Sequence, residues 1–239
     1  MRIDIITLFP NMIKGFIEES IIKRAIDNKI VEVNIIDPRP FSLDKHHHVD
    51  DTPYGGGAGM VLKCEPIFDC FESIHGEKHT IIMTPQGHPF KQEDAKRLAK
   101  MDHLVLICGH YEGFDERIRT LADEQISIGD FVLTGGEIPA IAVADSIIRL
   151  LDGSISEDSK GDSFYDGLLE YPQYTKPQNY RGMEVPEVLT NGNHELIRKW
   201  RLKESLRNTY KNRPDLLNGR SFTKEEKKFL DEIIEEEKQ

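Results

Sequence analysis

The chain has 239 residues, enough for one sizeable α/β domain plus a smaller appendage but short of two large domains. A formal net charge of −11 argues against a uniformly basic nucleic-acid binder, since phosphate binding is driven by clustered Lys and Arg. Three cysteines, Cys64, Cys70 and Cys108, are an odd number without Cys-x-x-Cys spacing, which argues against both a disulfide framework and a zinc site and reads as reduced thiols.

In chain order, MRIDIITLFP is too short for a signal-peptide core and carries Asp4 within it, so Ile3 to Leu8 reads as an opening strand. A helix follows, with Met12, Ile13, Phe16, Ile17, Ile21 and Ile26 on one face at near-helical spacing. Val31 to Ile36 is the second strand. After a loop rich in His, Asp and Gly come three further strands, Thr80 to Thr84, Leu104 to Cys108 and Gln125 to Leu133, separated by polar helices. A long apolar helix runs from Pro139 to Leu151, interrupted by Asp145 and Arg149 and too short to span a membrane. The stretch Asp152 to Gly167 is dense in Gly, Ser and Asp and reads as a linker. Beyond it the chain is predicted helical: a basic helix from His194 to Asn212, then a last helix opened by a capping box from Thr223 to Glu226. Strand and helix patterns alternating in this way predict a largely parallel sheet covered by helices.

Chemistry concentrates where the middle strands end. They run into TPQG (84–87), CGHYEGFDER (108–117) and SIGDFVLTGGE (127–137), loops in which Gly or Pro lets the backbone approach a ligand. Loops at the carboxyl ends of strands are where ligands sit in open α/β sheets. One such loop is ordinarily a turn; three in succession point to a built site. No P-loop occurs, and GGGAG (55–59) fails the dinucleotide-binding spacing because Met60 stands where its third Gly belongs. The cluster HHHVDD (46–51) invites a metal reading, but adjacent histidines cannot all face one ion without distortion, so a solvated loop is the preferred reading. Between Leu196 and Arg213 the local charge is +6, with Trp200 and Tyr210 interleaved. Taken alone, such a run is most often a solvated helix face; with its aromatics it is also a candidate RNA surface.

The stretches VDDTPYGGGAGM (49–60), TPQG, CGHYEGFDER, SIGDFVLTGGEIP (127–139), DSF (162–164), GMEVP (182–186) and IRKWRLK (197–203) together closely resemble the TrmD family, bacterial tRNA (guanine-N1)-methyltransferases of the SPOUT class. The resemblance runs nearly the whole length of the chain in order. It implies an α/β SPOUT domain over 1–152 whose parallel sheet is tied in a deep trefoil knot, a linker over 153–171, and a small helical tRNA-binding domain over 172–239. It implies methyl transfer from S-adenosylmethionine to N1 of the guanine immediately 3′ of the anticodon, in a cytoplasmic homodimer whose active site is shared between subunits, with no membrane association. By motif, the cofactor pocket would be lined by Met83, Thr84, Pro85, Gly109, Tyr111, Glu112, Ser127, Ile128, Gly129, Asp130, Phe131, Val132, Leu133, Gly135, Gly136 and Pro139. The resemblance further implies Asp162 as general base, Arg149 facing the charge that develops on the base, and Mg²⁺ near Glu112, Asp162 and Glu170. The chain departs from the family pattern at Thr52 and His110, where members often carry Arg, at Gly161, where they carry Glu, and at Gln173, where they carry His. The competing readings are a SPOUT relative that methylates another RNA position and a non-catalytic RNA- or nucleotide-binding module.

Overall fold

The structure is a computed structural model that describes residues 1–155, 163–164 and 166–238. Contacts divide the chain into two units, Met1–Ser156 and Glu157–Gln239. The first is built on five strands, β1 (Arg2–Ile6), β2 (Glu32–Ile36), β5 (His79–Pro89), β6 (His103–Cys108) and β7 (Glu124–Ser127), all parallel and ordered β2-β1-β6-β5-β7. Two short strands, β3 (Asp50–Asp51) and β4 (Val61–Leu62), pair antiparallel beside it and bracket the glycine-rich loop.

The strands are apolar on both faces because both are covered. Ile3, Ile5, Leu104, Leu106, Cys108, Ile81, Met83 and Ile126 share one core with helices α1 (Pro10–Ile17), α2 (Ser20–Asp27), α4 (Gln92–Leu98) and α5 (Glu137–Ile148). On the other face Ile6, Ile82, Val105 and Ile107 pack against α3 (Cys64–Glu72) through Ile67 and Cys70. α5 is buried along Ala140, Val143, Ala144, Ile147 and Ile148, which accounts for its uniformly apolar sequence. Asp4, fully buried in β1, is held by the Arg2 guanidinium, the His103 imidazole and the Asn34 amide.

Three expectations are corrected. The single helix after β1 is two, α1 and α2, because the chain breaks at Glu18 and Glu19 and Ser20 adopts a left-handed φ of 55°. The third strand extends past Thr84 to Pro89: Met83 and His88 both register with Ile126, so residues 84–87 bulge out and return beside β7. The strand expected to reach Leu133 stops at Ser127, whose hydroxyl donates to the Gly129 carbonyl and accepts from the Gly129 N–H, turning the chain where Gly129 has φ 150°.

In the second unit α6 (His194–Asn212) and α7 (Lys224–Glu236) lie side by side in the same direction over a small core of Leu168, Leu206 and Ile233, with Leu202, Phe222 and Phe229 around it. The capping box of α7 is formed in both directions between Thr223 and Glu226. A two-stranded ribbon, β8 (Asn179–Tyr180) and β9 (Met183–Glu184), precedes α6. Leu168 is 3 % exposed and the Leu169 N–H donates to the Thr209 hydroxyl, so the last part of the stretch expected as linker packs into this unit.

Candidate functional site

Met83, Cys108 and Ile126 stand side by side at the carboxyl ends of the central strands β5, β6 and β7. The three loops that leave these strands enclose a cavity of about 480 Å³, within the range of small-molecule sites. The loops fit together because several positions admit no side chain. A Cβ on Gly136 would lie 2.8 Å from the Cys108 Cα and 2.9 Å from the Gly109 nitrogen, and one on Gly109 would lie 2.9 Å from the Phe114 ring. The Gly136 N–H donates to the Gly109 carbonyl at 2.8 Å, and His110 forms an isolated antiparallel bridge with Gly135. Gly87 packs directly on the backbone of Gln125 and Ile126, which brings Thr84, Pro85 and Gln86 over the same space.

Of the sixteen residues assigned to the pocket by motif, all except Asp130 line this cavity; Asp130 is exposed on the same loop. Gln86, His110, Phe114, Glu116, Arg119 and Thr134 also line it. Five of these belong to the same three loops, although the motif match did not single them out; Arg119 lies beyond the loops and enters through the packing of the 110–119 segment. Arg119 lies over the Phe114 ring at 4.8 Å and pairs with Glu116 at 2.9 Å and with Gln125. Glu112 is tied in through its N–H to the Met60 carbonyl at 3.1 Å, while the Leu62 N–H reaches the Gly113 carbonyl, so the glycine-rich loop 52–60 ends against this segment.

The cavity surface is largely backbone and apolar, with the carboxylates Glu112 and Glu116 and the cation Arg119 at its polar side. Fixed N–H and C=O groups suit the edge of a neutral heteroaromatic ring, and two carboxylates suit a ligand carrying positive charge. Covalent catalysis by thiol finds no candidate among the described residues. Cys64, Cys70 and Cys108 are free and buried; burial pushes the Cys108 thiol well above its ordinary range and Cys70 up to about 12.

The other assigned residues lie elsewhere. Arg149 is exposed at the carboxyl end of α5 and does not line the cavity. Glu170 belongs to the second unit, where its carboxylate accepts from the Gln173 amide at 2.5 Å and its carbonyl from Asn208. Asp162 and Gly161 lie outside the described residues. The His46–His48 loop is organised by Asp44, which accepts both the His46 and His48 N–H groups; these bonds hold its carboxyl below the usual range. Among the described residues no group of three or more His, Cys, Asp or Glu is arranged to hold a metal, and no helix is long and apolar enough to cross a membrane.

The basic run on α6 is largely neutralised inside its own unit. Arg198 pairs with Glu195 and Glu225, Lys203 with Glu232 and Glu236, Arg207 with Glu204 and Glu236, and Lys211 with Glu237. Most of the +6 charge thus meets the acids of α7 and its end. Arg201 points elsewhere, over the Tyr171 ring at 4.8 Å, next to Trp200, whose ring lies 6.4 Å from that of Tyr174.

Comparison with known proteins finds relatives over nearly the whole chain. A family profile described as tRNA (Guanine-1)-methyltransferase TrmD matches residues 1–219. The chain is 56% identical over 239 residues to a tRNA (guanine-N(1)-)-methyltransferase of Fusobacterium nucleatum, covering 99% of this chain and 100% of that one. It is 54% identical to one of Lacticaseibacillus paracasei (99% and 95% covered) and 53% identical to one of Geobacillus kaustophilus (97% and 98% covered). With the profile spanning more than nine-tenths of its length and the cavity loops among the matched residues, the chain belongs to the tRNA (guanine-1)-methyltransferase family.

Proposed function

We propose that this protein methylates N1 of the guanine immediately 3′ of the anticodon in tRNA, with S-adenosylmethionine as methyl donor. The observation that carries the reading is the cavity at the ends of β5, β6 and β7, lined by fifteen of the sixteen positions matched to the family's cofactor pocket. It is large enough for a bent nucleoside sulfonium, offers backbone donors and acceptors for the adenine edge, and includes the carboxylate of Glu112, which suits a positive charge.

Bound there, the donor supplies an electrophilic methyl on a cationic sulfur. Guanine N1 is protonated at neutral pH and is a poor nucleophile until that proton leaves. Asp162 accepts the N1 proton; the N1–CH₃ bond forms as the S–CH₃ bond breaks, and its electron pair stays on sulfur as a neutral thioether. Charge that builds on O6 as the proton departs is met by Arg149. Glu112, Asp162 and Glu170 offer the hard oxygen donors that Mg²⁺ takes, and the ion would add charge neutralisation at the base.

The assembly proposed is a homodimer with a deep trefoil knot and a composite site, the cavity of one subunit working with Asp162 of the other. Phe131, Val132 and Ile138, exposed at 54 %, 92 % and 48 %, lie beside the cavity and supply an apolar surface for a partner to cover. The second unit brings the tRNA, with Arg201, Trp200 and Tyr174 among its cations and aromatics. The protein works in the cytoplasm, where its substrate and its reduced thiols belong.

The deciding experiment incubates purified protein with unmodified tRNA and labelled S-adenosylmethionine and maps the methylated nucleotide. Label at N1 of the guanine 3′ of the anticodon is expected; label at another nucleotide or on a ribose oxygen overturns the position, and no transfer overturns the activity. For the shared site, Gly129→Trp and Asp162→Asn chains are each expected to be inactive as homodimers and to regain activity in mixed dimers, where one site keeps both parts. Mixed dimers as inactive as their parents would overturn it.

A further inference from the structure

The lining of the cavity contains a polar atom without a partner. Nδ1 of His110 is buried and makes no hydrogen bond, although the imidazole is held on both sides, by the Phe9 ring at 4.6 Å and by Tyr111 edge-on at 5.1 Å. Buried polar atoms are seldom left this way, because the desolvation cost goes uncompensated. Close by stands a second costly group. Glu137, the first residue of α5, is 2 % exposed; its Oε1 accepts from the Thr7 hydroxyl at 2.8 Å, and no cation pairs with it among the described residues.

The two groups converge above Gly135. A Cβ there would lie 2.6 Å from Nδ1 of His110 and closer still to Oε2 of Glu137. Gly135 therefore leaves open a gap bordered by the unpartnered imidazole nitrogen and by the second carboxylate oxygen of Glu137. The same loops carry strain: Tyr111, next to His110, has a left-handed φ of 63°, which a bulky residue adopts only where its surroundings enforce it. Those surroundings are the His110 to Gly135 bridge, the Gly136 bond to the Gly109 carbonyl, and the chain from the Phe9 N–H through Thr7 to Glu137.

We propose that His110 and Glu137 act as one positioning pair behind the methyl-donor cavity, with Nδ1–H of His110 donating to Oε2 of Glu137 across the gap left by Gly135, directly on closure or through one water. The pair gives the buried imidazole nitrogen a partner and the Glu137 carboxylate a second one, clamps the loop after β6 against the start of α5, and holds the left-handed Tyr111 and the adjoining Glu112 in place. It acts through backbone placement and touches no reacting atom. The inference rests on the reading of the cavity as the S-adenosylmethionine site.

The test is a double-mutant cycle on the full chain, with the product analogue S-adenosylhomocysteine titrated calorimetrically and initial rates measured on tRNA. His110→Ala and Glu137→Gln are each expected to weaken the analogue by about tenfold, and the double variant to be no weaker than the worse single one. KM for the donor should rise while kcat at saturation stays within about threefold. His110→Asn, whose amide can donate from the Nδ1 position, should recover most of the affinity, which general loosening of the fold would not allow. Tight binding by wild type with additive losses in the double variant, or no rescue by asparagine in a chain that melts like wild type, overturns the pair. Failure of wild type itself to bind the analogue overturns the donor-site reading instead.

Discussion

The loops of the first unit and the helix pair of the second solve the same problem, holding elements together around little hydrophobic core, by opposite means. The loops are joined by close approach: Gly136, Gly109 and Gly87 have no room for a methyl group, and backbone lies against backbone. α6 and α7 are joined at long reach, by Arg and Lys side chains that bridge to Glu across the groove while only Leu206 and Ile233, with Leu168, are fully enclosed. Close approach fixes positions to a fraction of an ångström and tolerates no added volume. Ion pairs between partly exposed chains tolerate substitution and are screened by salt. A cavity that must align a methyl group needs the first, whereas a surface that meets a large, charged partner can use the second.

The sharpest way to break the comparison is at the chemistry. Asp162→Asn is nearly isosteric yet cannot readily take the N1 proton, so turnover should fall by roughly 10²-fold or more while donor binding persists; calorimetry with the donor alongside single-turnover rates measures both. Near-normal methylation would remove Asp162 from its role.

Next in size is the packing contrast. Gly136→Ala forces a methyl into the backbone of Cys108 and Gly109, which should cost about 1–3 kcal/mol of stability and abolish donor binding. Gly182→Ala, at φ 83° but with open space around it, should cost only about 1 kcal/mol and leave donor binding untouched. Equal losses in chemical denaturation would show that close approach is not what distinguishes the loops.

A smaller effect separates the two kinds of cation on α6. Arg201 stacks on Tyr171 and should, when replaced by Ala, weaken tRNA binding about threefold to tenfold and flatten its dependence on salt. Arg198 is committed to Glu195 and Glu225, so Arg198→Ala should leave the salt slope close to that of wild type. The reverse ranking in filter binding over a salt series would return the paired face to the RNA.

The smallest effect concerns acid. Arg198 and Lys199 hold the Glu195 carboxyl down to about 2, and Glu225 and Glu236 are lowered from 4.5 by Arg198 and by Lys203 with Arg207. Carboxylates lowered in the folded state contribute stability that is present above the ordinary glutamate value and lost as pH falls through the folded ones. Between about pH 4.5 and 2, therefore, amides of α6 and α7 should lose hydrogen-exchange protection, corrected for intrinsic rates, before those of β1 and β6. Simultaneous loss would mean that the ion pairs add nothing specific to the second unit.

Much of this molecule is local information. The periods of β1, β2 and β6, the apolar run of α5, the bounds of α6 and the Thr223–Glu226 capping box follow from side-chain spacing and cap chemistry, which act over a few residues. The three ligand loops were visible for the same reason, since Gly and Pro mark where the backbone is bared. Tertiary structure decided the rest. It ended β7 at Ser127 by a side-chain turn, folded residues 84–87 out and back beside β7, and brought Arg119 into the cavity from a position with no distinctive sequence context. The strongly basic run of α6 became mostly internal ion pairs because the acids that meet it lie 27 to 33 positions away on α7, a distance no window of spacing can read. His110 and Glu137, likewise far apart in sequence, border one gap only because Gly135 leaves no side chain between them. Periodicity and caps are short-range properties of the chain, whereas which cation finds which acid, and which buried atom goes without a partner, depend on elements that meet only after folding.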